Sequence, residues 1–193
     1  SEIMLQQTQV KTVIPYFERF LQAFPTLESL AEAKIDQVLA AWTGLGYYAR
    51  ARNLHRTAVI IHQDLGGKFP DNQVAWAELP GVGPSTAAAI TSICFNERVA
   101  ILDGNVKRVL TRFFAEPGWP GASRVANKLW AQAESLLPGT RFGDYTQAIM
   151  DLGATVCSRK QPQCHRCPVS EACVAHRSGE QDAFPGAKPK KHR

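Results

Sequence analysis

Apolar residues in this chain recur at three- and four-residue steps and almost nowhere at steps of two. Val10, Val13, Ile14, Phe17, Leu21 and Phe24 form one such stripe, Ile35, Val38, Leu39 and Trp42 another, and Leu54, Ala58 and Ile61 a third. That spacing sets apolar side chains along one face of an α-helix, whereas a half-buried strand would alternate. Further helical patterns cover roughly 71–78, 83–95, 105–115, 122–137 and 142–154. Gly or Pro interrupts the pattern at Gly44 and Gly46, Gly66 and Gly67, Pro80 and Gly81, Pro117 and Gly118, and Pro138 and Gly139. Each helix must therefore be short. The expectation is an all-α protein of about ten short helices, without internal repeats.

The 193 residues suffice for one or two domains with a real core. No apolar run is long enough to span a bilayer, and no secretory pattern opens the chain, which speaks against a membrane partner. The net charge of +5 favours polyanionic partners. Four of the cations, Lys188, Lys190, Lys191 and Arg193, fall in a tail containing Pro and Gly that reads as a solvated linker. Without them the body is nearly neutral, so any argument for nucleic acid has to rest on local features.

Cys94 lies alone in the apolar stretch AAAITSICF and reads as a buried small hydrophobe. The other four cysteines, Cys157, Cys164, Cys167 and Cys173, form a C-x6-C-x2-C-x5-C array. Such crowding does not fit independent core fillers. Two disulfides are conceivable, but nothing else in the sequence marks a secreted protein. A structural zinc site usually pairs two short hooks, and here only Cys164 and Cys167 form one. The looser outer spacing suits the larger span of a [4Fe–4S] cluster, which takes one cysteine per iron. The loop after the first cysteine carries Arg159 and Lys160, and tethering at both ends would make it a rigid cationic finger for phosphate.

Two further stretches carry chemistry. In LPGVGPSTAAAI, Gly81 and Gly83 flank Val82 ahead of a helix that begins near Pro84 or Ser85. Glycines allow close approach, and a helix start offers free N–H groups along a favourable dipole, so the string can grip a phosphate without reading sequence. A buried αα-hairpin would give the same string. In LDGNVKRVL, Asp103 reads first as a helix N-cap. Near the start, Glu2 precedes the uncharged run QQTQ, and an acid at a helix start is commonly only a dipole partner.

Taken together, SEIMLQQTQV, WTGLGYYARARNLH, LPGVGPSTAAAI, ILDGNVKRVL, MDLGATVC and the four-cysteine array resemble the catalytic domain of the MutY adenine DNA glycosylase family, within the helix-hairpin-helix glycosylases. The likeness runs from Ser1 to about Cys173 with the motifs in order. It implies a two-lobed helix-hairpin-helix fold with an iron–sulfur loop and DNA lying across a cleft. It further implies excision of adenine opposite 8-oxoguanine or guanine in double-stranded DNA. On this resemblance Glu2 protonates the flipped adenine, Asp103 stabilises the oxocarbenium-like sugar, and Asn105 supports it. Gln7 and Tyr47 wedge into the base stack, Gln147 contacts the adenine edge, and Gly81, Val82, Gly83 and Ser85 belong to the phosphate-holding hairpin. Cys157, Cys164, Cys167 and Cys173 hold the [4Fe–4S] cluster, with Arg159 and Lys160 on DNA.

The chemistry explains the residue types. Adenine is a poor leaving group and needs an acid still protonated near neutral pH, which apolar surroundings can provide. The second carboxylate must stay ionised to meet developing positive charge. A base inside a duplex must be flipped out before it can be reached. Ser85 bears on the reaction type: backbone-cleaving relatives in this superfamily carry a Schiff-base lysine at the matching place. No Lys lies between Lys68 and Lys107, so a glycosylase without lyase activity is expected.

The alternatives are an endonuclease III-like glycosylase and lyase, and an inert Fe–S module that only binds DNA. The expected domains are 1–99 with the hairpin, 100–175 with the cluster, and a basic linker over 176–193. The chain does not begin with Met, and the family resemblance implies an upstream segment and a Nudix-like C-terminal domain, so a fragment is expected. An intracellular monomer, in cytoplasm or nucleoid if bacterial, completes the expectation.

Overall fold

In a computed structural model, which describes residues 1–189, every regular element is helical. The order is α1 (Glu2–Leu5), α2 (Val10–Ala23), α3 (Leu27–Ala31), α4 (Ile35–Trp42), α5 (Ala49–Gln63), α6 (Gln73–Ala77), α7 (Pro84–Phe95), α8 (Gly104–Phe113), α9 (Ser123–Ser135), α10 (Phe142–Asp151) and α11 (Val174–Arg177). A π-helical turn, Leu152–Val156, continues α10, and 3-10 turns lie at Cys164–Arg166 and Gln181–Ala183. None of these helices is long and apolar enough to cross a membrane.

The chain gathers into two compact units, Ser1–Ile90 and Thr91 onward, with the division inside α7. In the first unit α2 and α4 pack together, but α2 does so through Val13 and Phe20 with Phe17 and Phe24 beside them, whereas Val10, Ile14 and Leu21 of the expected stripe face outward. Val13, Phe20, Val38, Trp42 and Leu45 form a core with Met4 and Ala51. Burying each of the larger ones contributes about 1.5–3 kcal/mol. A second cluster, Ile61, Trp76, Leu79, Val82 and Ala87, supports the turn before α7. Local caps fix the helix starts. Thr26 and Ser29 bond reciprocally at the head of α3, and Asn72 accepts the Ala75 N–H at 3.0 Å before α6.

In the second unit, Val125, Leu129 and Ala133 are the buried stripe of α9, beside buried Val106, Val109 and Leu110 of α8. Buried Glu116 is met by Lys128 at 2.6 Å. Gly143 is needed by close approach, because a Cβ there would stand 2.8 Å from the Ser92 carbonyl oxygen.

Two expectations are corrected. Cys94 is exposed, not buried. The helix is apolar around its whole circumference, so composition hid its orientation; Thr91 and Ser92 point inward, leaving Ile93, Cys94 and Phe95 outward. The segment from 176 also does not run free as far as it is described. The Arg112 guanidinium donates to the Gln181 and Phe184 carbonyls at 2.9 and 3.0 Å, and the Lys188 ammonium sits 5.3 Å from the Trp119 ring centre. Lys190, Lys191 and Arg193 lie outside the described residues.

Candidate active site and metal centre

Glu2 opens α1, a single turn that closes at Leu5, because Gln6 leaves the helical region at ψ 111° and Gln7 follows left-handed at φ 58°. One turn of helix is not stable alone, and its carbonyl end needs partners. Arg50 supplies them. Its Nη1 donates to the Ile3, Met4 and Gln6 carbonyls at 3.2, 2.7 and 2.7 Å, while Nη2 reaches Leu45 and Gly46 at 3.4 and 3.3 Å. Burial lowers the pKa of Arg50 from the ordinary guanidinium value, and Tyr47 opposes the shift. Tyr47 projects from the same loop with φ 48° and is 64% exposed. The pair Tyr47 and Tyr48 is therefore not core. Gln7 is likewise exposed.

The hairpin separates its glycines by role. Gly81 has φ 75°, and a Cβ there would meet the Asn53 side chain at 2.6 Å, so the fold itself demands glycine. At Gly83 a Cβ would meet nothing within 4 Å, which leaves an open lane beside the first turn of α7. The N–H groups of that turn have no intrahelical partner. Gln6 ties α1 to the hairpin, donating from Nε2 to the Gly81 carbonyl and the Thr86 hydroxyl, both at 3.2 Å. Val82 is buried beneath, and Ser85 is half-buried in the first helical turn.

In the second unit Asp103 is the N-cap of α8, its Oδ1 accepting the Val106 N–H at 2.7 Å. Next to it, Arg108 donates to the Asn105 Oδ1 at 3.0 Å, to the Cys157 carbonyl at 2.7 Å and to the Gly153 carbonyl. Burial lowers the Arg108 pKa; Cys157 and Asp103 oppose that shift, and Arg112 and Arg159 add to it. Gly153 in MDLGATVC is there for space: a Cβ would come within 2.7 Å of the Asn105 Cβ. One connected set of bonds thus runs from Asn105 through Arg108 to the first cysteine. Gln147 is exposed on α10 and donates to the Asp151 Oδ1 at 2.9 Å.

Cys157, Cys164, Cys167 and Cys173 line one pocket with apolar Val109, Phe113 and Leu152. None of the four is joined in a disulfide. Desolvation raises the Cys164 and Cys173 pKa, and the neighbouring sulfurs raise them further, so the set as thiolates calls for a positive centre. Four sulfurs gathered on one pocket form a donor set that a [4Fe–4S] cluster, taking one cysteine per iron, would fit. Arg112, 3% exposed, donates to the Cys157 Sγ at 3.4 Å and the Ser158 carbonyl at 2.7 Å. Its own carbonyl accepts the Cys173 thiol at 3.4 Å. Ser158 Oγ donates to the Lys160 carbonyl at 2.8 Å, so the finger is braced from within while Arg159 and Lys160 point to solvent.

Sequence reasoning missed Gln6, Arg50, Arg108 and Arg112. A usable signal existed for two of them. Arg50 falls on the Leu54, Ala58 and Ile61 stripe, and Arg112 follows Val109 by three residues on the buried face of α8. A cation at a core position of a helix must find carbonyls or a counter-charge.

A model of the HhH-GPD superfamily of base excision DNA repair proteins matches residues 1–135. The chain is 43% identical over 191 residues to the adenine DNA glycosylase of Buchnera aphidicola subsp. Schizaphis graminum, covering 99% of this chain and 55% of that one. It is 45% identical over 183 residues to the adenine DNA glycosylase of Homo sapiens, covering 94% and 34%. It spans about half the length of the bacterial relatives it matches. A thermostable thymine-DNA glycosylase superposes with TM-score 0.81 at 29% identity, covering 92% of this chain and 82% of that one. An endonuclease III–DNA complex gives 0.75 at 20% identity, covering 92% and 81%, and speaks to the fold alone. On the family match, the chain belongs to the HhH-GPD superfamily of base excision DNA repair proteins.

Proposed function

We propose that this chain is the catalytic part of an adenine DNA glycosylase that removes adenine opposite 8-oxoguanine or guanine and leaves an abasic site. The observation that carries the reading is its likeness to adenine DNA glycosylases from bacteria, animals, yeast and plant over nearly all of its residues. The geometry supports it within each unit.

In the proposed mechanism Tyr47 and Gln7 fill the gap left by an extruded base. Glu2 donates a proton to a ring nitrogen, and the glycosidic bond electrons leave with adenine. Asp103 stands ionised against the positive charge that develops on the sugar, and water then bonds to the anomeric carbon and gives up a proton to leave the abasic site. Gln147 contacts the adenine edge. The first turn of α7 and Gly83 hold a phosphate, with Arg159 and Lys160 adding charge from the finger. Cys157, Cys164, Cys167 and Cys173 hold a [4Fe–4S] cluster, which supplies the positive centre that binds the thiolate loop together. Ser85 has no amine to form a Schiff base, so the backbone is left intact. The proposed arrangement acts as a monomer in the compartment that holds the DNA.

The test is base release by the intact protein from A:8-oxoguanine, A:G and A:T duplexes, with abasic sites revealed by mild alkali. Release from the first two well above A:T is expected, with no strand break before alkali. No release from any adenine pair would overturn the reading. An efficient borohydride cross-link would instead favour an endonuclease III-like lyase.

A further inference from the structure

We infer that Arg50 is a positioning residue that holds the acid-bearing helix α1 and the Tyr47 turn in one register, so that base extrusion and protonation share a single anchor. For what Glu2 and Tyr47 do, the inference rests on the function proposed above.

A single turn such as α1 does not persist alone; Met4 seats it in the core and Gln6 ties it to the hairpin, while Arg50 takes up its carbonyls. The backbone of α1 closes on the residue before it, the Leu5 N–H donating to the Ser1 carbonyl at 3.1 Å. The left-handed Gln7 then breaks the chain before α2. The Arg50 guanidinium takes three carbonyls from residues 3–6, and its positive charge complements the negative end of the helix that Glu2 begins.

The other nitrogen of the same planar group holds the Leu45 and Gly46 carbonyls, the two residues before Tyr47. The guanidinium carbon is 5.4 Å from the ring centres of both Trp42 and Tyr47. Trp42 is fully buried and donates to the Gly46 carbonyl at 3.0 Å, so the loop is referred to the core of the first unit. Tyr47 is the exposed member, held at a positive φ that a non-glycine residue adopts only under local constraint. Two segments that make no long element of their own are thus pinned by the two terminal nitrogens of one flat group. Lysine keeps the charge but has a single nitrogen with three donors, and it cannot span both sets of carbonyls.

The test uses the intact protein with Arg50→Lys and Arg50→Met. Single-turnover adenine release is followed against pH, beside thermal melting and amide hydrogen exchange. Arg50→Lys is expected to slow release by about 10²-fold, the loss a displacement of about 1 Å can bring. It is also expected to move the limb of the pH profile set by the acid, with the melting temperature near that of the parent. Exchange at the Leu5 and Thr8 amides, which bond Ser1 O and Leu5 O, is expected to quicken. The Arg50→Met variant should show the same changes and melt lower. A parental rate and pH profile in Arg50→Lys would overturn the inference, as would a loss explained by the unfolded fraction alone. If the parent protein itself releases no adenine, the proposed function fails separately. Exchange at Leu5 and Thr8 then decides whether Arg50 is the anchor, and unchanged exchange overturns it.

Discussion

Asp103 is engaged on two sides: Oδ1 takes the Val106 N–H at 2.7 Å, and the Arg108 guanidinium feels the carboxylate charge. The cap needs an oxygen, but the proposed chemistry needs a negative one. Asparagine satisfies the first demand only. Asp103→Asn is therefore expected to melt close to the parent while single-turnover base release falls by about 10²–10³-fold. Asp103→Ala should lose the rate and about 1 kcal/mol of stability as well. Parallel loss of rate and stability in Asp103→Asn would reduce the residue to a cap. The local string favoured the cap, and only the family resemblance assigned Asp103 the second role, because an N-cap and a charge-stabilising carboxylate occupy the same place in the string.

The hairpin before α7 offers a separation at the level of the element. Gly81→Ala is expected to damage folding, since its φ is 75° and the added carbon would stand 2.8 Å from the Asn53 Cβ as well as close to its amide. Truncating Asn53 to alanine leaves that Cβ in place, so it should not restore the fold. Gly83→Ala adds its methyl to open space and should melt within about 0.5 kcal/mol of the parent. Its duplex affinity is nonetheless expected to fall, because the methyl occupies the lane by which a phosphate reaches α7. Unchanged affinity in Gly83→Ala would leave the string as an αα-hairpin and nothing more. Most of the longer helices were legible, since α2, α4, α5, α8 and α9 carry enough turns for a period to show, whereas α7 is apolar on every side. The five-residue α3 was not, because barely more than one turn gives no repeat and its capping pair is read only in hindsight. The break between α1 and α2 was hidden for another reason: Gln7 is an ordinary residue held left-handed by tertiary contacts around it.

Each compact unit should answer differently to loss of the metal centre. The four cysteines all belong to the unit from Thr91 onward, and Arg108 and Arg112 tie their loop to α8. Removal of the cluster by oxidation is expected to speed amide exchange in α8, α11 and the segment 157–173, and to spare Val38, Trp42 and Ile61 in the core of Ser1–Ile90. Uniform quickening across both units would contradict that division. Metal identity is open to direct measurement, since one zinc per chain in colourless, freshly purified protein would defeat the polynuclear reading. Spacing in the sequence had already favoured a group larger than zinc. What it could not show was Arg112, whose partners lie as far as 72 residues along the chain and share no local pattern with it. That buried guanidinium also gives the molecule a mechanical property. Tension applied along the chain at residue 189 would travel through Phe184 and Gln181 into Arg112, and from there to the loop of Cys157. Pulling on that segment should therefore perturb the sulfurs before it perturbs the core of Ser1–Ile90.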